Sequence, residues 1–361
     1  MKVLQISADR SARGILHPGS PAFKRQEAYA KQFGSLDVIG FSRFSDGVTA
    51  LNAGFLRIYP TNSRSPLLYG IDAIRLARKL PRPDVITAQD PFETGLVAWW
   101  IARTLGVPLH VQVHTDFLSP AYARLSLKNR LRAWIAGFVL RRAARVRVVS
   151  ERIKDALPAR FHLAGSMTVL PIFADIEHIR AMQVSPVLAA RFSQFERKVL
   201  VVGRLEREKN VALALRSFAR SAPHRSCLIL VGNGRERKTL QTLAEHLGVS
   251  KSVFFEGEQD PALYYSLADL VLVPSRYEGY GLVIVEALAA GKPVISTDVG
   301  IAREAGAIIA PPEKFVAALA EWFKSGPRKG ELKNSPYENF DDYVRKYCDD
   351  IAACAKSQKK E

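Results

Sequence analysis

Short apolar runs, often rich in β-branched residues, alternate along the whole chain with longer segments whose apolar residues recur at helical spacing. The short runs are apolar at nearly every position, as expected of parallel strands that helices cover on both faces. In the first half these runs are Val3–Ser7, Leu36–Phe41, Phe55–Tyr59, Asp84–Ala88, Leu109–Val113, Val146–Val149 and Met167–Leu170. In the second half they are Lys198–Val202, Cys227–Val231, Val253–Glu256, Leu270–Val273, Val294–Thr297 and Ala307–Ala310. The pattern predicts an α/β protein built on parallel sheets.

The helical segments and the breaks between them predict the domain organisation. The clearest helical segments of the first half are Phe23–Phe33, Leu67–Leu80 and Glu93–Leu105. The series is least regular at Ala174–Glu196, which contains Pro186. We therefore predict two doubly wound, Rossmann-like domains, 1–185 and 186–335, and a C-terminal helix within 336–361 that packs back on the first domain. Ligands of such sheets bind beyond the carboxyl ends of the strands, so we expect a site in a cleft between the domains.

Length and composition narrow the class of protein. The 361 residues suffice for two domains with separate cores. No apolar run approaches the length that crosses a bilayer, and Met1–Ile6 resembles a buried strand more than a signal peptide, so a cytoplasmic location is expected. Cys227, Cys348 and Cys354 have neither metal-site spacing nor an even number, which predicts reduced, structural thiols.

The positive charge is concentrated in the first half. The net charge is +17, and residues 1–190 hold 26 of the 52 Lys and Arg but only 13 of the 35 Asp and Glu. Such asymmetry indicates an anionic partner, either nucleic acid or lipid headgroups.

Residues 121–150 are the most basic stretch and contain no acidic residue. The basic residues are Arg124, Lys128, Arg130, Arg132, Arg141, Arg142, Arg145 and Arg147. Apolar residues interleave with them at helical spacing, among them Leu131 and Trp134. A basic amphipathic helix of this kind can lie on anionic lipid. Alternatively, it packs its apolar stripe on the sheet and leaves its charges in water; the two interpretations are compatible.

The segment Pro274–Gly300, with the sequence PSRYEGYGLVIVEALAAGKPVISTDVG, contains the strongest chemical signal. A strand ends at Pro274, a loop carries Glu278 and two glycines, and a helix follows. Exposed N–H groups at such a turn attract an anion such as a diphosphate. Glu286 lies within an apolar stretch, where a carboxylate requires a polar partner. A ligand rich in hydroxyl groups would supply that partner.

A second polar element, VVGRLEREKN, places Arg204 and Lys209 just after the first strand of the second half. Fixed cations at that position would stabilise the negative charge that develops on a departing nucleoside diphosphate. The alternative is that both are surface charges in water, which is the commonest environment of Arg and Lys.

Together these segments resemble glycosyltransferase family 4. Glu278 and Glu286 match its E-x7-E signature, and VVGRLEREKN is similar to its G-R-L-x-x-x-K-N stretch. The resemblance implies a GT-B fold and a retaining transfer of sugar. It implies that Glu278 contacts the donor sugar, that Glu286 binds the ribose, and that Arg204 and Lys209 bind the diphosphate. The backbone that would meet the phosphates is that of Gly279, Tyr280, Gly281 and Leu282.

In the first half, HVQVHTDF ends a strand at His114. By the same resemblance, His114 contacts the donor sugar near the reacting centre and acts with Glu278 in catalysis; alternatively, it is a structural histidine satisfied by hydrogen bonds. The loop after the first strand departs from the family, because SADRSARGILHPGSPAF has only Gly14 and Gly19 where many relatives have adjacent glycines. Its contacts with donor or acceptor are therefore not carried over.

The expected function is transfer of a hexose-type sugar from a UDP- or GDP-sugar to a lipid-linked or polysaccharide acceptor. The expected setting is cell-envelope glycan synthesis, such as lipopolysaccharide, by a peripheral protein at the inner face of the plasma membrane. No Asp-x-Asp pair occurs, which favours chemistry without a metal or another cofactor. One alternative is a nucleotide-sugar epimerase on the same fold, which needs more acid–base groups than are evident. The other is a basic nucleic-acid-binding protein, but aromatic residues on a basic sheet are not evident, so no nucleic acid is expected.

Overall fold

The computed structural model describes residues 1–9, 14–163 and 165–357 and divides into two compact units. The first unit comprises Met1–Leu118, Ser126–Pro171 and Tyr337–Glu361. The second comprises Ser119–Leu125 and Ile172–Pro336. The second unit thus begins at Ile172, before the boundary expected at residue 186, and the last helix belongs to the first unit.

The strands and helices are numbered along the chain. The strands are β1 Lys2–Ser7, β2 Ser35–Gly40, β3 Leu51–Ala53, β4 Leu56–Pro60, β5 Val85–Ala88, β6 Leu109–Val113, β7 Arg145–Val148, β8 Ser166–Val169, β9 Arg197–Val202, β10 Ser226–Val231, β11 Val253–Gly257, β12 Leu270–Val273, β13 Val294–Ser296 and β14 Ile308–Ile309. The helices are α1 Pro21–Phe33, α2 Tyr69–Ala77, α3 Glu93–Leu105, α4 Pro120–Leu125, α5 Leu127–Leu140, α6 Glu151–Arg160, α7 Ile176–Ala181, α8 Pro186–Arg191, α9 Val211–Ser221, α10 Arg237–His246, α11 Pro261–Leu267, α12 Leu282–Ala289, α13 Ala302–Ala305, α14 Phe315–Ser325 and α15 Phe340–Ser357.

In the first unit the strands join in the order β3-β4-β2-β1-β5-β6-β7-β8. All neighbours pair in parallel except β3, which pairs with β4 in antiparallel orientation at the edge. The parallel strands are buried and apolar for most of their length, as the sequence pattern predicts. Local signals bound the helices: the Ser20 side chain accepts a hydrogen bond from the Phe23 N–H at the start of α1, and Gly34 ends that helix with a φ of 83°.

In the second unit the order is β11-β10-β9-β12-β13-β14, with every pair parallel. This is the strand order of a dinucleotide-binding doubly wound sheet. Alternate residues of each strand enter one of two apolar cores, one on each face of the sheet. Phe218 and Trp322 lie in one core, and Phe192 and Tyr265 lie in the other.

The prediction of two parallel-sheet α/β units is confirmed, and three local expectations differ from the structure. The short edge strand β3 was not predicted, because three partly exposed residues carry little signal. The irregular stretch Ala174–Glu196 contains the short helices α7 and α8. The helix expected over Leu67–Leu80 is shorter, since Tyr69–Ala77 is α-helical and a 3₁₀ turn precedes it.

The basic segment 121–150 is not one helix, so the expectation of a continuous basic amphipathic helix is corrected. It contains α4, α5 and β7. Arg145 and Arg147 lie in β7, and Arg147 is 2% exposed. These two cations therefore do not belong to a solvated basic face. No described helix is long and apolar enough to cross a membrane.

Candidate functional site

The turn between β12 and α12 brings backbone N–H groups to the carboxyl end of the second sheet. Gly281 caps α12 with a φ of 94°, a conformation that favours glycine. Gly300 approaches the same turn so closely that a Cβ there would lie 2.2 Å from the Tyr280 carbonyl oxygen. The first intrahelical bond of α12 runs from the Ile284 N–H to the Gly281 carbonyl. The N–H groups of the preceding residues point out of the helix start, where an anion is favoured.

Glu278 lies in this turn and is held by two donors. The Lys209 Nζ donates to its Oε1 across 2.6 Å, and the Ser275 hydroxyl donates to the same oxygen across 2.7 Å. The side chains of Lys209 and Glu278 are 20% and 15% exposed, respectively. The structure thus brings together an amine and a carboxylate that the sequence assigned to different parts of one ligand.

Backbone contacts join the turn to the other predicted segment. The Arg276 N–H donates to the Glu208 carbonyl across 2.8 Å. The Asn210 side-chain amide donates to the Pro274 carbonyl across 3.2 Å. Arg204 is 76% exposed and donates to a Glu208 carboxylate oxygen across 3.3 Å. We call residues 204–209 and 274–286 the motif region.

Glu286 lies one turn into α12 and is partly buried. Burial raises the pKa of Glu286 to about 7, although a hydrogen bond from the Tyr265 hydroxyl to its Oε2 across 2.7 Å acts in the opposite direction. Tyr265 holds one carboxylate oxygen. The other oxygen is available to the hydroxyl groups of a ligand, which suits a carboxylate that binds a diol.

In the first unit, His114 follows β6 at its carboxyl end and is partly buried. Its Nε2 lies 3.1 Å from the Gln112 Oε1, and the Arg147 guanidinium donates to the same oxygen across 3.0 Å. Burial lowers the pKa of His114 to about 3, and the charges of Arg147 and Arg25 lower it further. His114 is therefore neutral at physiological pH.

Behind His114 lies a set of hydrogen-bonded side chains that we call the buried polar layer. Its members are Thr87, His110, Gln112, Arg147 and Asp350. Thr87 hydrogen-bonds to the His110 Nδ1 across 2.9 Å, and the His110 Nε2 lies 3.0 Å from the Asp350 Oδ2. The Gln112 amide donates to Thr87, and Arg147 donates to the Leu170 and Pro171 carbonyls. Strands β5, β6 and β7 and helix α15 thus share one satisfied network.

Sequence reasoning missed four residues that hold these groups: Ser275, Tyr265, Gln112 and Arg147. Arg147 carries a signal, since a charge inside the valine-rich run of β7 invites the same question as Glu286 inside α12. Tyr265 and Gln112 carry none, because nothing in their local sequence indicates their distant partners. Of the loop after β1, residues 10–13 lie outside the described residues.

Comparison with solved structures defines the class of the fold. The chain superposes on a HepE protein from Anabaena, solved in complex with UDP-glucose, with a TM-score of 0.71 and 19% identity over 100% of each chain. The fold is therefore GT-B, the architecture of two Rossmann-like units found among glycosyltransferases.

Two family models match separate parts of the chain. Residues 190–341 match the model "Glycosyl transferases group 1" and residues 40–172 match the model "Glycosyl transferase 4-like domain". The chain belongs to glycosyltransferase family 4, which combines these two domains. These matches favour neither the epimerase nor the nucleic-acid-binding alternative.

Characterised relatives support the same assignment. The chain is 28% identical over 228 residues to an alpha-monoglucosyldiacylglycerol synthase from Streptococcus pneumoniae, covering 59% of this chain and 51% of that protein. It is 30% identical over 217 residues to an alpha-D-kanosaminyltransferase from Streptomyces kanamyceticus, covering 55% of each. The matched region spans about half the length of these relatives.

Proposed function

We propose that this protein transfers a hexose-type sugar from a nucleoside diphosphate sugar to an acceptor hydroxyl, with retention at the anomeric carbon. The observation that carries the proposal is the motif region, where a helix start, a lysine and two carboxylates share the carboxyl edge of one sheet. Within the described residues, both predicted segments of the second unit belong to that edge. Family membership supports the same reaction.

In this proposal the donor diphosphate lies against the start of α12. Lys209 leaves Glu278 and pairs with the diphosphate, and Glu278 becomes free to accept hydrogen bonds from sugar hydroxyls. The exposed Arg204 adds a second cation that moves without breaking a buried contact. Glu286 accepts hydrogen bonds from the ribose. Both cations stabilise the charge of the departing nucleoside diphosphate without a metal ion.

The transfer step balances with the groups of donor and acceptor. The acceptor oxygen forms a bond with the anomeric carbon, and the bond between that carbon and the diphosphate oxygen breaks. The acceptor proton leaves with the nucleoside diphosphate. His114 contacts the sugar as a neutral hydrogen-bonding group, because a base or acid role would require a pKa nearer to the working pH.

A UDP-hexose is the favoured donor, with a GDP-sugar as the alternative. The HepE structure that shares the fold contains UDP-glucose, and the S. pneumoniae relative is named for a glucosylated lipid. The same name supports a lipid-linked acceptor in cell-envelope glycan synthesis, with a polysaccharide as the alternative.

Stabilisation by ligands tests the donor assignment directly. A ligand that binds only the folded chain raises its melting temperature. We expect one nucleotide sugar from a UDP and GDP panel to raise the Tm of wild type and of Glu304→Ala, but not of Glu286→Ala. Glu304 is an exposed glutamate outside the motif region, so it controls for loss of charge. Transfer to an acceptor must accompany the shift. A panel without any shift, or hydrolysis that ignores acceptors, contradicts the proposal.

An anionic membrane surface is the proposed docking partner of α5, which would keep the enzyme peripheral to the inner face of the plasma membrane. Leu127, Leu131 and Trp134 recur at helical spacing and are 78%, 57% and 71% exposed. Lys128 and Arg130 lie on the same helix and are also exposed. Exposed apolar side chains beside lysine and arginine are the chemistry of a surface that inserts among anionic headgroups.

Vesicle sedimentation tests this docking. We expect the protein to bind vesicles that contain anionic phospholipid more strongly than zwitterionic vesicles. Leu127→Ser with Trp134→Ser should lower the partition coefficient at least about tenfold, because each buried side chain contributes about 1.5–3 kcal/mol. Leu67→Ser, at a residue that is 91% exposed outside α5, is the matched control. Equal losses in both variants, or equal binding to both vesicle types, contradict the docking.

A further inference from the structure

The buried polar layer determines which atom of the Gln112 amide faces His114. The Arg147 guanidinium carries only hydrogen-bond donors. It lies 3.0 Å from the Gln112 side chain, so the atom it faces must be the oxygen, Oε1. The amide nitrogen then donates to the Thr87 hydroxyl and the Tyr347 hydroxyl across 3.1 Å and 2.9 Å. Arg147 thus fixes the orientation of the amide by charge and geometry together.

The orientation of Gln112 in turn determines the proton on His114. The His114 Nε2 lies 3.1 Å from the same Oε1, which can only accept. Nε2 must therefore carry the hydrogen. A neutral imidazole has one N–H, so Nδ1 is left with a lone pair. Among the described residues, the His114 Nδ1 has no hydrogen-bond partner.

The surroundings keep His114 in this neutral form. Burial is the main cause of its low pKa, and the positive charges of Arg147 on β7 and Arg25 on α1, with His110 on β6, act in the same direction. No carboxylate counters them at the ring. Protonation of Nδ1 would place a third cation beside two arginines, so Nδ1 stays an acceptor across the physiological range.

We propose that Arg147 and Gln112 are positioning residues that hold His114 in the Nε2–H tautomer, so that Nδ1 accepts a hydrogen bond from a hydroxyl of the donor sugar. The identity of the partner as a donor sugar depends on the proposed function, whereas the tautomer does not. A sugar that presents a carboxylate to Nδ1 would be rejected, because two acceptors then face each other without a hydrogen.

Nitrogen NMR of the imidazole rings tests the tautomer in the full-length protein. Two-bond ¹H–¹⁵N correlation spectra distinguish the nitrogen that carries hydrogen from the nitrogen that does not, and His114→Asn identifies the signals of this residue. We expect a protonated Nε2 and a bare Nδ1 that do not change between about pH 5 and pH 8. A protonated Nδ1, or a mixture of both forms in wild type, overturns the proposal.

Two substitutions of Gln112 separate positioning from a structural role. Gln112→Met removes the acceptor, so we expect a mixture of tautomers and a kcat/KM about 10- to 100-fold lower, as for other partners that orient a functional imidazole. Gln112→Glu keeps an acceptor at Nε2 and should keep the tautomer, while its charge raises the pKa of His114 and adds an acidic limb to the rate profile. A His114 spectrum that neither substitution changes overturns the role of Gln112.

The outcomes for the two proposals are distinguishable. If wild type shows the Nε2–H tautomer but transfers no sugar from any donor, the proposed function fails and the positioning of His114 stands. If the sugar is transferred but His114 titrates near its ordinary pKa, the proposed function stands and this inference fails. Should Gln112→Met not fold, the wild-type and Gln112→Glu spectra still decide.

Discussion

The motif region of the second unit and the buried polar layer of the first contain similar groups in opposite settings. In the motif region, Lys209 and Glu278 are partly exposed and their partners come from two neighbouring loops. In the polar layer, His110 and Asp350 are almost completely buried and lie 240 residues apart in the chain. A partly exposed pair can exchange partners for a ligand. A buried pair cannot, because each separated group would remain unsatisfied. The motif region is therefore suited to binding, and the polar layer to positioning.

Removal of the buried arginine should have the largest effect on stability. Arg147→Met leaves the Gln112 Oε1 and two carbonyl groups without their donor, at about 1–3 kcal/mol each, and we expect a loss of roughly 3–5 kcal/mol in the free energy of unfolding. Urea unfolding followed by circular dichroism measures it. The matched control is Arg130→Met on the exposed face of α5, which should change stability by less than about 0.5 kcal/mol. Equal effects at the two positions would show that burial does not distinguish these arginines.

Lys209→Met should reduce transfer without a comparable loss of stability. Removal of one group that stabilises developing charge typically lowers the rate about 10²- to 10³-fold, and we expect kcat/KM to fall by this factor. Arg207→Met removes the same charge from the same turn, but Arg207 is 74% exposed and pairs with Glu236, so its effect should be at most a few-fold. A similar loss in both variants would mean that the net charge of the turn matters and the position of Lys209 does not.

Asp350 should make the first unit sensitive to acid. Burial raises its pKa, but hydrogen bonds from His110 and Arg145 outweigh burial and lower the pKa of Asp350 to about 2. Because this lies below the value in an unfolded chain, about 3.9, the carboxylate contributes about 2 kcal/mol above about pH 4. That contribution is lost as the pH falls toward 2. Asp350→Asn should flatten this part of the stability profile, whereas Asp349→Asn, at its exposed neighbour, should leave it unchanged.

Glu286 should give the motif region the smaller pH dependence. Its raised pKa, about 7, means that the carboxylate is partly protonated near neutrality. A protonated carboxyl accepts ribose hydrogen bonds less well, so donor affinity should strengthen as pH rises through 7, by at most about tenfold per unit below it. Isothermal titration measures the dependence, and Glu286→Gln should abolish it. A dependence that persists in Glu286→Gln would assign the titration to another group.

The motif region could be predicted from sequence because its chemistry depends on local spacing. Glycines at a strand-to-helix turn, and a glutamate inside the apolar α12, report a site without knowledge of the rest of the chain. The roles of Arg204, Lys209, Glu278 and Glu286 as ligands of a donor stay predictions, although the structure brings the last three to the same edge of the sheet. Tyr265, which holds Glu286, lies on α11, and no local pattern connects the two residues.

The basic segment 121–150 shows where the local pattern misleads. A count of charges gives Arg130 and Arg147 the same weight, yet Arg130 is exposed on α5 and Arg147 is buried in β7. The alternation of arginine and valine in β7 places both arginines of that strand on one face. Only the helix that covers this face decides whether they meet water or protein.

The sequence by itself determined the two parallel-sheet units, the approximate strand limits and the motif that identifies the family. These depend on short-range periodicity and on residues a few positions apart, which every sequence displays directly. Only the tertiary structure decided that Glu278 pairs with Lys209, that α15 covers the polar face of the first sheet, and that Arg147 lies behind His114. The reason is physical. The environment of a polar side chain depends on which distant segments exclude water from it, and that is settled only when the chain folds.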